Sequence, residues 1–471
     1  MAGKPRRIAL KPDIQVSRIP EQSLASPVNM FAEIQSGKGA FPLHSHPGMT
    51  LLTTLAGVVR GQACIDGVHY VVAGVTFYRL SGAVATEIGT VTGSGPVQIA
   101  YNRFQVGVVT DPRLYVYDRE TLTFDEVIAT EDNGFAGASA LCVVNGTGVF
   151  IEPGGDRFNV TGLNDFSSIN PTEVSTAESR SDPLVNCVTL GSSLYLLGAD
   201  TIEVWDNTGD GDFPFNRTLV IDLGLVSRET SVVIGPALYF VGRERESGCI
   251  GVYVLSGGRP QKISTPPVDR LLERAGFIDQ ATALTWSIDG HVFYRLNTTA
   301  GSVEFDLSTT LWTRVGSGVW GMATEPGPSL LTTCCAVDGA AIFGDGGGRL
   351  LRATFDANDI GGDVFVREFT TPVTGDLGAQ TIVDELELEC ETGVGTISLD
   401  PVVYLTVSKD GGHRWSVPRE GRVGKVGRYG RRVYWDRLGM AGDWVFRFRM
   451  TDAVPLKVTG VWALVEQTRR P

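Results

Sequence analysis

Four groups of residues have types and spacings that could do chemistry. Ser408-Lys409-Asp410-Gly411-Gly412-His413-Arg414-Trp415 fits the Asp-box pattern S-x-D-x-G-x-x-W. Physically that pattern is a hairpin: Asp410 caps turn amides, the glycines supply positive φ, and Trp415 packs under the loop. A glycosidase built on such boxes needs several of them, an arginine cluster and a Tyr/Glu nucleophile pair. One box is present, so Ser408, Asp410, Gly412 and Trp415 read as a structural turn. Asp206–Asp212 has the outline of a calcium loop, but Arg217 stands at its twelfth position, where an EF-hand needs a bidentate Glu. His44-Ser45-His46 places two imidazoles on one side of an extended segment without a neighbouring carboxylate or cysteine, which is weak metal-ligand spacing. The stretch Arg419–Arg432 interleaves Arg419, Arg422, Lys425, Arg428, Arg431 and Arg432 with glycine. It reads as a loop touching DNA or an acidic partner, or as a solvated hairpin. No catalytic set, metal site or cofactor motif emerges.

The bulk numbers narrow the classes further. The chain has 471 residues, 42% of them hydrophobic, enough for two or three domains with real cores. A net charge of -13 argues against a general nucleic-acid coat, though not against a channel through which DNA merely passes. Seven cysteines lie scattered with no CxxC spacing and read as buried free thiols of a protein folded in a reducing cytoplasm. The basic start Met1–Arg7 lacks a following apolar stretch, so it is no signal peptide, and no apolar run reaches membrane-spanning length.

The elements that would position these groups are strands. A β-branched and aromatic strand, a glycine turn and a second strand recur every 40–50 residues or so. The pairs fall at Tyr70–Leu80, Val106–Tyr117, Cys142–Val160, Leu194–Trp205, Leu238–Val254, Val292–Asp306 and Ala341–Leu351. A total of 58 glycines fits such a chain of short strands and tight turns. The pattern predicts an all-β protein with a β-propeller of six or seven blades over residues 55–370. Residues 1–54 read as an extended N-terminal strap, and one short helix is expected over Val268–Arg274, after Pro266-Pro267. Residues 371–471 read as a β-sandwich-like domain, in which Phe446 and Phe448 alternate with Arg447 and Arg449. Its end is basic: residues 411–471 hold 13 Lys/Arg against 5 Asp/Glu.

Several short phrases, in order, resemble a known family. They are Ser26–Glu33 with His46-Pro47-Gly48-Met49, then Gly57–Gly61, Phe77–Leu80 and Gly93–Ala100. Further on come Val252–Gly258 with Lys262–Thr265, and Leu405–Gly411 through Val433–Gly439. The set is similar to the packaged-DNA stabilisation proteins, also called tail hub or nozzle proteins, of lambdoid short-tailed phages (podoviruses). Residues 110–230 share only texture with them. The resemblance implies a structural virion protein and no enzyme. It implies a hexameric ring below the portal–adaptor that retains packaged DNA, receives a tail needle beside tail spikes or fibres, and passes double-stranded DNA without sequence specificity. Such a protein is assembled in the host bacterial cytoplasm, without a membrane anchor or cofactor. The rival readings are a carbohydrate-binding or sialidase-like propeller and a receptor-binding tail protein.

Overall fold

A computed structural model describes residues 4–14, 27–33, 41–130, 133–177, 182–209, 213–317, 327–375 and 379–469. The recurring strand pairs are the middle strands of seven consecutive antiparallel sheets. The first sheet runs Val59–Ile65, Val68–Ala73, Thr76–Ser81 and Val84–Thr90. Four-stranded sheets of the same kind begin at Gln98, Ala140, Leu184 and Thr282, and a five-stranded one begins at Leu223. The seventh takes Leu331–Val337, Ala340–Asp345 and Arg349–Thr354 from late in the chain and its outer strand, Gly48–Thr54, from early in it. Gly48–Thr54 therefore belongs to the propeller and not to the N-terminal strap expected over residues 1–54.

Each blade is apolar on both faces, and its hydrophobic residues meet those of its neighbours in seven separate cores. One joins the first blade to the second through Tyr70, Phe77, Val106 and Tyr117. The last joins the seventh back to the first through Ile342, Leu350, Val59 and Tyr78. Seven interfaces between seven blades make a closed ring, which fixes the blade count that the sequence left at six or seven. Closure removes the unpaired edges at which an open array of sheets would associate. Four of the hairpins within blades turn on Asx-Gly pairs, at Asp66, Asn145, Asp289 and Asp338. Asp338-Gly339, with φ of +50° and +73°, shows why: both central positions of such a two-residue turn need left-handed backbone.

The helix spans Pro266–Arg274, with both prolines in its first turn and Val268, Leu271 and Leu272 buried. All seven cysteines are free thiols. The structure corrects their expected burial, because only Cys142 and Cys187 are fully enclosed and Cys249 is exposed.

The remaining strands form two facing sheets. One is Met30–Ala32, Leu43–Ser45, Lys457–Arg469, Ala379–Cys390 and Val433–Ala441, with Lys4–Ile8 also paired to Lys457–Arg469. The other is Arg367–Thr370, Val445–Met450, Val402–Ser408 and Arg419–Arg422. Phe446, Phe448, Trp435 and Trp444 fill the space between them. The strap is thus distributed over both domains. Met30 and Ala32 point into the sandwich core, while Phe31 between them belongs to the core of blades six and seven. Strand alternation makes one short strand serve two domains.

Candidate functional site

The Asp-box turn forms as its residue types dictate. The Ser408 hydroxyl donates to Asp410 at 2.8 Å and accepts the Gly412 N–H at 2.7 Å, while Asp410 accepts the Arg414 N–H at 2.9 Å. Those bonds, Arg414 first, hold the Asp410 carboxyl below its ordinary range. Trp415 is half-buried, with the Arg447 guanidinium 3.9 Å from its ring centroid. The acid of the box is committed to backbone amides, and the turn lies in the sandwich, away from the propeller axis.

The basic stretch is largely neutralised. Arg419 donates to the Asp436 carbonyl at 2.8 Å. Arg422 lies 3.5 Å from both Asp400 and Glu420, and Arg431 lies 3.6 Å from Asp400. Arg432 reaches Glu385 and Glu387, each at 2.5 Å, and covers Tyr434. Two of the six cations, Lys425 and Arg428, have no ion pair among the described residues.

The two histidines of the strap do not converge on one ligand site. His44 lies 3.0 Å from Glu33, and His46 is sunk into the sixth blade, 3.1 Å from Glu304. Burial pushes His46 down to about 4, so it is neutral there. Among the described residues, no group of three or more His, Cys, Asp or Glu could hold a metal. The calcium-like loop is a blade connection in which Ser193 donates to Asp206 at 2.6 Å and the Asn207 side chain caps Gly209. Its Asp210, Gly211 and Asp212 lie outside the described residues, as does Ser26 of the family phrase.

Sequence reasoning passed over two groups. The first is a buried charge cluster, in which Glu304 is fully enclosed, accepts from Arg295 at 2.6 Å and from the Trp286 indole at 2.9 Å. The signal for it was charge at buried positions, Arg295 and Glu304, on two apolar strands that pair with each other. The second is the mouth of the propeller axis. Gln98 of the second blade donates to Asn186 of the fourth at 3.4 Å and accepts the Leu141 N–H of the third at 3.0 Å. Asn186 donates to Ser231 of the fifth at 2.7 Å. Arg228 of the fifth blade donates to the Ser139 carbonyl and stands 3.6 Å from Asp111 of the second. Side chains therefore bridge non-adjacent blades at this end, and nothing as wide as a duplex passes along the axis there.

A propeller whose axis is bridged, joined to a sandwich by a shared strand, matches two family models in the same order. Residues 17–345 match the bacteriophage P22 Gp10 β-propeller, and residues 366–466 match the bacteriophage P22 Gp10 β-sandwich. The chain belongs to the bacteriophage P22 Gp10 family. A curated relative in this family is the tail hub protein gp10 of Salmonella phage P22, 25% identical over 308 residues. That match covers 60% of this chain and 62% of the relative's length, so the chain spans less than two thirds of it. Among solved structures, the computationally designed Ika8 protein is similar at a TM-score of 0.40 and 11% identity, over 64% of this chain and 99% of that one. BamB from Moraxella catarrhalis is similar at 0.39 and 11%, over 75% and 97%. Likeness at that level bears no functional weight.

Proposed function

We propose that the chain is a subunit of the hub ring of a short phage tail. The ring sits below the portal–adaptor complex, holds packaged DNA in the filled capsid, and forms the conduit through which DNA leaves. The observation that carries this reading is the ordered match of both domains to the P22 Gp10 family. The bridged propeller axis adds a geometric requirement: the conduit must be enclosed by several copies, with propellers as its wall. A hexamer meets that requirement, and an acidic wall would keep a polyanion from sticking.

The role is mechanical and not enzymatic. In support of that, the carboxylate of the Asp-box is occupied by the Arg414 amide, and the buried ion pairs are internally matched. Subunits fold in the host cytoplasm, join the virion, and meet the needle and the spikes or fibres there.

Filled capsids carrying portal and adaptor but lacking this chain test the proposal. Purified chain should bind them and protect their DNA from added nuclease. Particles that bind no chain, or that hold their DNA equally well without it, would sink the reading.

A further inference from the structure

Two exposed patches, one on each domain, carry complementary chemistry that the monomer does not use. The first is the end of the sandwich formed by residues 391–400 and 423–432. Its unpaired Lys425 and Arg428 flank Val426 and precede Tyr429, which are 50% and 72% exposed, and Ile397 beside them is 87% exposed. The two loops are laced together: Thr392 donates to the Tyr429 carbonyl at 2.6 Å, and Gly424 donates to Asp400 at 3.1 Å. The cations and apolar groups are thus held in place, which lowers the entropy lost on docking.

The second patch is the outer edge of the second blade. Glu120 and Asp125 are exposed and have no ion pair among the described residues. They stand with Leu122 and Ile128, 62% and 70% exposed. The edge strand, Phe124–Glu126, is short, and Asp118 braces the preceding turn by accepting the N–H groups of Glu120 and Thr121 at 2.9 and 2.8 Å. Leu122 adopts φ of +60°, left-handed backbone that is costly for a side chain with a Cβ. Within one chain that backbone closes the turn, the Leu122 N–H donating to the Asp118 carbonyl at 2.9 Å, while the leucine side chain faces solvent. Strain of this sort persists where the side chain has a use.

The patches cannot meet within a subunit as it is built. The strap fastens the sandwich across the sixth blade, where Val28 bridges to Arg314 and to Glu368. The second blade lies three places further round the ring. We infer that the Lys425/Arg428 end of the sandwich docks on the Glu120/Asp125 edge of a second copy of this chain. The contact is of unlike surfaces, cationic against anionic with apolar groups in each. Such a contact repeats head to tail until it closes a ring or runs on as a filament. The inference rests on the hub reading and names the seam by which that ring would form.

Charge reversal tests it, with oligomer mass read by native mass spectrometry. Full-length Lys425→Glu/Arg428→Glu and Glu120→Lys/Asp125→Lys should each need about tenfold more protein to assemble, the effect of losing close charge pairs. Mixed in equal amounts, the two variants should assemble again, in even-numbered forms. The substitutions sit at exposed positions, Asp125 on the short edge strand and the others on loops, and unchanged melting of each variant checks that it folds. Leu122→Gly should weaken assembly while leaving monomer melting unchanged or raised.

Variants that assemble as the wild type does, or a mixture that stays monomeric, would overturn the seam and leave the hub reading intact. So would loss of binding to non-specific duplex DNA by Lys425→Glu/Arg428→Glu with assembly unaltered, which would assign the cations to DNA. A wild-type chain that stays monomeric also overturns the seam. Its binding to the portal–adaptor complex then decides the hub reading separately.

Discussion

The imidazole of His46 lies 3.1 Å from the Glu304 carboxylate, yet the two approach without hydrogen-bond alignment. Arg295 already balances Glu304, so a proton on His46 would add an unmatched charge in a fully enclosed place. Burial outweighs the attraction of Glu304 and pushes His46 down to about 4. His69, buried beside Gln62, is likewise pushed down to about 4.

Stability should therefore fall as pH drops from 6.5 to 4. In the unfolded chain each imidazole takes up a proton near its ordinary value of about 6.5, and in the folded chain only near 4. The folded state is favoured in full above the upper value and loses that advantage on the way down. Each histidine contributes about 3 kcal/mol to the fall. Urea titrations across this range should show it, and His69→Gln should remove roughly half of it. A flat profile for the wild type would contradict the burial argument.

Breaking the buried pair should cost more than deleting it. Glu304→Ala leaves Arg295 charged and enclosed, and a loss of about 3–5 kcal/mol is expected. The double variant Arg295→Leu/Glu304→Leu should recover a large part of that loss. Equal stability of the single and double variants would show that Arg295 finds water or another anion.

Asn29 should be hard to replace. It holds φ of +52°, and its side chain donates to Gly316 and Val366 at 2.9 and 2.8 Å and accepts from Gly316 at 2.9 Å. Asn29→Ala loses the backbone tolerance and leaves two buried carbonyls short of a donor, at about 1–3 kcal/mol for each unsatisfied group. Asn29→Gly restores only the backbone part, so it should melt above the alanine variant. The reverse order would mean that the left-handed conformation is not what constrains this position.

Phe31 should govern whether the domains melt together. Removing it empties a site in the propeller core while leaving Met30 and Ala32 in the sandwich, at about 3–5 kcal/mol. Calorimetry of Phe31→Ala should split one heat-absorption peak into two. A single peak shifted to lower temperature would mean that other strap contacts suffice.

What the sequence disclosed follows the range of each interaction. The turn at Ser408–Trp415 and the helix after Pro266-Pro267 depend on neighbours a few residues away, and both were legible. The middle strands of all seven blades were legible too, because alternation and glycine turns are local. Blade count was not, since Gly48–Thr54 pairs with Arg349–Thr354, some 300 residues distant, and no short-range pattern marks that partnership. The ion pairs of the basic stretch were not legible for the same reason. Arg432 is neutralised by Glu385 and Glu387, which only the pairing of Ala379–Cys390 with Val433–Ala441 brings beside it. Phe31 and Asn29 gave no signal, because a strand shared by two cores reads like any apolar strand.

The placement of Gly48–Thr54 in the last blade bears on the order of manufacture. An early strand waits for a partner made some 300 residues later, and Lys4–Ile8 waits longer still, for Lys457–Arg469. A ribosome that stops before Leu331 releases a chain with the last blade and the sandwich both unfinished and with Gly48–Thr54 and Lys4–Ile8 unpaired. Unpaired strand edges of that kind are open to aggregation. The topology thereby makes the closing of both domains wait on strands made late in the chain.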